Sequence, residues 1–140
     1  MKFNKLIVTN IDDDIREIKL NDPKLHNALS PNLILELKEC IKEICENNNI
    51  KIVIFSSTGN SFCAGGDLAW MKKQIAASRS DRIKEASKLA DLLFNIYNCP
   101  KPIIAKVEGN AFGGGVGIMS VCDFVFTTNN IKLALTEAKL

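Results

Sequence analysis

Two β-rich runs open the chain, Phe3 to Ile11 and Ile15 to Leu20, and the triplet Asp12, Asp13, Asp14 between them has the composition of a hairpin turn. Ser30 followed by Pro31 reads as an N-cap and first helical residue. Leu33, Leu37, Cys40, Ile41 and Ile44 then recur at helical spacing until the polar run Glu46 to Asn49. Lys51 to Ser56 is short, continuous and β-branched, which predicts a buried strand. Asp67 to Gln74 is predicted as a short helix. Ser80 or Asp81 is predicted to cap a longer helix that carries Ile83, Ala86, Leu89, Ala90, Leu93, Phe94 and Tyr97 on one face and breaks at the Pro100 and Pro102 pair. Ile103 to Val107 is a further strand, Gly109 to Gly117 a glycine-rich turn, and Gly114 to Ser120 a short helix of small residues. Asp123 to Thr127 and Ile131 to Leu135 are strands parted by Asn129 and Asn130. The order is a loose recurrence of strand-strand-helix units within one α/β layer system, with no interdomain linker.

Composition narrows the chemistry. Across 140 residues, 46% are hydrophobic and 24% charged, the balance of a folded soluble domain. The net charge is +2 and the basic residues are scattered, so no nucleic-acid or anionic-membrane partner is expected. No secretory signal opens the sequence and no apolar run approaches the ~18 residues of a membrane span, which makes the cytoplasm the expected location. Five cysteines form no CxxC pair and read as reduced, mostly packed thiols. One histidine, His26, leaves a zinc site or a histidine-activated nucleophile little to draw on, so no metal is expected.

Two segments stand apart: SFCAGGDL (Ser61 to Leu68) and GNAFGGGVG (Gly109 to Gly117). Each follows a predicted strand and leads into a predicted helix. Glycine lets a ligand approach the backbone, and free N–H groups at a helix start favour an anion or an oxygen gaining negative charge. Either loop alone is as well explained by ordinary turn chemistry, but together they can set one N–H each around a single oxygen. A rival reading is a dinucleotide fingerprint, since Gly115 to Ser120 spells GxGxxS with Glu137 about twenty residues on. Its third position is Ser, and a run of glycines generates GxG by chance.

SFCAGGDL, followed by KPIIAKVEGNAFGGGVGIMSVCD, resembles the enoyl-CoA hydratase/isomerase (crotonase) superfamily, and LNDPKLHNALS near the start resembles that family's first βα loop. Asp67 to Met71 together with AFGGGVG is most similar to hydratases acting on methylglutaconyl-CoA and related branched acyl-CoA substrates. The resemblance implies an α/β fold, a crotonase-like ββα superhelix. It implies an oxyanion hole made by the backbone N–H groups of Gly66 and Gly114, with CoA present only as part of the substrate and no separate cofactor. Two such donors facing an enolate oxygen are each worth roughly 10²–10³ in rate. The implied substrate-binding set is Lys24, His26 and Ala28 in the first loop, then Ala64, Gly65, Gly66, Asp67 and Leu68, and finally Gly114. The family assembles as homotrimers or hexamers, which the resemblance carries over as an expectation.

A family hydratase is expected to use two glutamates. In this sequence the first of those positions is Gly117 and the second is Glu137, and the interval of twenty residues fits. General acid–base assistance is worth ~10²–10⁴, so the missing carboxylate has to be replaced by a residue beyond position 140, by a carboxylate on the substrate, or by a reaction that needs one base. Water addition to an α,β-unsaturated acyl-CoA is the expected reaction. Double-bond isomerisation by Glu137 alone, or acyl-CoA binding without turnover, stands as the alternative.

Lesser signals have plain readings. Glu108 is expected to be a solvated or paired strand-end residue, and Asp67 a loop-fixing helix cap. Trp70 and Met71 read as core, or as a lining of the acyl pocket. Cys63 adjoins the first loop without an activating base. Family members are roughly twice as long, so residues 1–140 are expected to be the N-terminal part of a crotonase-fold domain, ending before its C-terminal helical region, inactive alone and exposing apolar surface.

Overall fold

The structure, a computed structural model, describes residues 3–136. The hairpin forms as β1 (Leu6–Asn10) antiparallel to β2 (Ile15–Leu20), with Leu6 opposite Leu20. β1 is shorter than the predicted Phe3 to Ile11 run. The amides of Asn4 and Lys5 donate to the Glu36 carboxylate at 3.1 and 2.8 Å instead of entering the ladder, and Ile11 is drawn into the turn. α1 (Pro31–Glu46) begins where predicted: Ser30 Oγ accepts from Leu33 N at 3.3 Å, and Pro31 takes the first helical position. Leu33, Ile34, Leu37, Cys40, Ile41 and Ile44 are buried along its inner face. Removing each apolar side chain from water is worth ~1.5–3 kcal/mol, far more than helix propensity supplies.

That face lies on a five-stranded sheet. β3 (Ile52–Ser57), β5 (Ile103–Val107) and β7 (Phe124–Thr127) join β2 in parallel, in the order β1-β2-β3-β5-β7. Alternate residues point into the core, with Ile18, Leu20, Val53, Phe55, Ile103, Ala105 and Val107 all fully buried. β7 starts one residue later than predicted because Asp123 is spent on Ile103, accepting from its N–H at Oδ2 (2.8 Å) and donating to its carbonyl (2.9 Å).

A second sheet was hidden within the glycine-rich segments. β4 (Ser61–Cys63), β6 (Asn110–Phe112) and β8 (Leu133–Ala134, the remnant of the predicted Ile131 to Leu135 strand) pair in parallel, in that order. β1 and β2 both lie in the larger sheet, and from β3 onward the first strand of each pair joins the larger sheet and the second joins the smaller. The recurrence read in the sequence is therefore one structural step repeated, and the mixed α/β chain winds as a superhelix of ββα units.

α2 (Leu68–Ile75) and α3 (Arg79–Tyr97) follow β4, and α4 (Gly114–Ser120) follows β6. The cap of α3 is Ser78, not Ser80 or Asp81. Its Oγ accepts from Asp81 N at 3.1 Å and donates to the Asp81 carboxylate at 2.7 Å. The buried face of α3 is also rotated from the predicted one: Leu92 and Ile96 are buried and Leu89 and Leu93 pack at the core's edge, whereas Ile83, Ala86, Ala90, Phe94 and Tyr97 are exposed. Both sets recur at helical spacing. Contact with α1, pinned by Lys38 Nζ to Asp91 Oδ2 at 3.0 Å, selects the narrower one. Among the described residues, no helix is long and apolar enough to cross a membrane.

Candidate active site at the paired glycine loops

The register of the smaller sheet sets the geometry. Cys63 stands opposite Ala111, so the residues two positions further on, Gly65 and Gly113, emerge side by side. A Cβ built on Gly65 would lie 3.1 Å from Phe112 O and 3.7 Å from Gly113 Cα. Gly65 sits at φ +91° and Gly113 at φ +49°, ψ −116°, backbone states that glycine reaches without strain. Each of these turns delivers the following residue, Gly66 and Gly114, with its amide outside any ladder. Neither N–H has a hydrogen-bond partner among the described residues.

The first loop is the third wall, and its segment 26–29 runs parallel to 64–67. Ala64 N donates to His26 O (3.0 Å), Leu29 N to Gly65 O (2.7 Å) and Asp67 N to Leu29 O (3.3 Å). Leu29, fully buried, also touches the second loop: a Cβ on Gly114 would fall 2.5 Å from Leu29 Cδ1. Asn27 holds the first loop in place. Fully buried at φ +54°, its Oδ1 accepts from Asp22 N (2.7 Å) while Nδ2 donates to Thr58 O and Ser61 O (2.8 Å each). Neither residue was singled out for a role by the sequence. Leu29 reads as one more apolar residue of the first-loop motif, and the Asn27 amide nitrogen finds its two acceptors more than thirty positions away.

The remaining predicted residues divide. Ala64, Gly65, Gly66, Gly114 and the buried Ala28 all belong to this cluster. Asp67 caps α2, its Oδ1 accepting from Trp70 N at 2.7 Å. Met71 packs over Gly66, its Sδ 3.0 Å from where a Cβ would stand. Trp70 and Met71 are half-buried and line a groove of about 270 Å³ between α2 and α3; Trp70 Nε1 donates to Glu85 at 3.2 Å. Leu68 is exposed on the first turn of α2. Lys24 and His26 are exposed at the rim, where Ser61 Oγ and His26 Nδ1 are 3.3 Å apart. Glu108 is exposed and paired with Lys106 at 3.0 Å. Glu137 lies outside the described residues. A concavity of about 580 Å³ between α1 and the end of α3 contains none of these residues.

Two alternatives lose ground on this geometry. Gly115 and Gly117 sit inside α4 instead of in the turn before it, so the GxGxxS pattern cannot wrap a pyrophosphate as a fingerprint loop does. Cys63 is fully buried; burial pushes its thiol up to about 11, and a bond from the Gly65 amide only partly opposes that. Among the described residues no group of three or more His, Cys, Asp or Glu side chains is placed to hold a metal ion.

A ββα superhelix whose adjacent turns present two unpartnered glycine amides defines a recognisable class. The chain belongs to the enoyl-CoA hydratase/isomerase family, whose profile matches residues 10–140. It is 33% identical over 143 residues to the human mitochondrial Delta(3,5)-Delta(2,4)-dienoyl-CoA isomerase, covering 96% of this chain and 44% of that protein. It is 29% identical to the crotonyl-CoA hydratase of Syntrophomonas wolfei, covering 96% of this chain and 51% of the relative. The crystal structure of an enoyl-CoA hydratase from Shewanella pealeana superposes with a TM-score of 0.94 at 28% identity, over 99% of this chain and 52% of that one. The chain thus spans about half the length of the relatives it matches.

Proposed function

We propose that the protein containing this chain adds water across the double bond of an α,β-unsaturated acyl-CoA. The carrying observation is the pair of neighbouring loops that leave the Gly66 and Gly114 amides without partners. In this reading both amides donate to the thioester oxygen. Attack of water at the β-carbon moves charge onto that oxygen as an enolate, which the two donors and the N-terminal end of α4 stabilise before a proton reaches the α-carbon. Glu137 supplies the carboxylate that moves protons. Lys24 and His26 at the rim lie near the CoA phosphates and adenine, and the α2–α3 groove by Trp70 and Met71 receives the acyl chain. CoA enters as part of the substrate, and the working assembly is a homotrimer or hexamer.

Gly117, at the position of the family's first glutamate, points to a substrate with its own distal carboxylate that orients the water, as a branched, methylglutaconyl-type acyl group would. The same residue favours a second reading, a one-base double-bond shift in which Glu137 carries a proton between carbons of the acyl chain. The match to dienoyl-CoA isomerases is in keeping with it. Incubating the full-length protein with crotonyl-CoA, methylglutaconyl-CoA and a 3-enoyl-CoA, and following the conjugated thioester, separates the readings. Preference for methylglutaconyl-CoA is expected. Equal rates on crotonyl-CoA remove the substrate-carboxylate argument, and formation of the conjugated thioester from the 3-enoyl-CoA alone makes the protein an isomerase. Glu137→Gln is expected to abolish either activity, and a full rate in that variant would exclude Glu137 from the chemistry.

A further inference from the structure

Away from the glycine loops, two cysteines from distant parts of the sequence meet. Cys45 lies in the last turn of α1 and Cys99 just beyond α3, and their Sγ atoms are 3.2 Å apart, with the Cys45 thiol donating to Cys99. A disulfide needs about 2.05 Å, so the sulfurs have only about 1 Å to close. The backbone around them is already tied together. Lys101 Nζ donates to the carbonyls of Ile44 and Asn47, binding the segment after Cys99 to the end of α1. Both thiols are half-buried and reach solvent-open concavities, Cys45 the one between α1 and α3, Cys99 the one beside Pro100 and Phe124. The other three cysteines differ: Cys40 and Cys63 are buried, and Cys122 is taken up by a bond to Ile118 O.

We propose that Cys45 and Cys99 are an oxidant-responsive pair that closes to a reversible disulfide, clamping the end of α1 to the turn between α3 and β5. Hydrogen peroxide is the oxidant class. One thiol gives up its proton and its sulfur attacks a peroxide oxygen; the O–O bond breaks, water leaves and a sulfenic acid remains. The second sulfur then displaces the sulfenic hydroxyl, which leaves with the second proton as water. Two thiols are oxidised by two electrons and one peroxide is reduced to two waters. A small dithiol reverses the step by exchange. Burial and the bond to Cys99 push the Cys45 thiol up, which makes sustained peroxide rather than a mild oxidant the expected trigger.

The test treats the reduced full-length protein with hydrogen peroxide, blocks free thiols with iodoacetamide and maps peptides without reduction. The expected result is a peptide pair joined through Cys45 and Cys99 that separates on adding dithiothreitol. With it, Tm should rise by about 5 °C or more, because the bond closes a long loop of the unfolded chain. Cys45→Ser should show neither the linked peptide nor the rise. Recovery of both cysteines in alkylated form, their conversion to sulfinic acids without linkage, a link to any other cysteine, or a linked protein with unchanged Tm would each overturn the proposal.

Discussion

Glycines at neighbouring positions carry very different weight here. A Cβ on Gly115 would stand 2.6 Å from the Cys63 carbonyl oxygen, a backbone atom that cannot swing away, so α4 must leave β4 and take the Gly114 amide with it. Gly115→Ala in the full-length protein should lower kcat by about 10²-fold, the cost of roughly 1 Å of misplacement at a reacting centre, with about 1–3 kcal/mol of lost stability. Two residues on, a Cβ at Gly117 meets the Leu93 side chain, Cδ1 at 3.4 Å and Cδ2 at 3.9 Å, ordinary contact. Gly117→Ala should keep activity and gain up to about 1 kcal/mol of helix propensity; steady-state kinetics and urea unfolding on both variants check the pair. Cys63, with its thiol raised to about 11 by burial, should resist iodoacetamide in the native protein at neutral pH and react once urea is added. Mass spectrometry of the two samples reads this directly. At this scale the sequence reveals which residues are glycine and cannot say which Cβ would collide, because that depends on strands aligned across more than forty positions.

Elements were legible where their signals are local. Ser30 and Pro31 start α1 where the cap pattern says, and the β1–β2 turn falls on the three aspartates. The cap of α3 moved to Ser78 because its hydroxyl and the Asp81 carboxylate complete a reciprocal pair, and the core face of α3 followed α1 instead of the wider apolar stripe. β4 and β6 escaped notice because a three-residue strand shows no period, and partners in another unit hold it in place. Between β2 and β3 a polar pair offers a pH test. Burial disfavours ionised Glu17, yet the bond from Ser56 Oγ at 2.7 Å and the nearby Lys19 outweigh it and hold the carboxyl below its ordinary 4.5. A lowered folded-state value means the stabilisation is present above 4.5 and lost as pH falls through the lowered value. Glu17→Gln should therefore cost about 1 kcal/mol at neutral pH and almost nothing well below 4.5, as read by urea unfolding at both.

Across the whole molecule, parallel pairing of β4 with β6 is what turns two ordinary glycine turns into one site, and Leu29 and Asn27 complete it from the first loop. The sequence motifs identified the family and both loops. They could not show the bridge at Leu29, which needs three segments folded together, nor where the apolar surface would remain. That surface runs over Phe94, Tyr97, Phe124, Phe126 and Leu135, all more than half exposed, and includes β7, which is an edge strand of the larger sheet among the described residues. Two amides acting on one oxygen are the centre of the proposed chemistry. A crystal structure of the full-length protein with a bound acyl-CoA tests this most directly. The thioester oxygen is expected about 2.7–3.1 Å from both Gly66 N and Gly114 N, and an oxygen bound to one amide alone, or held elsewhere, would rule out the paired-donor site.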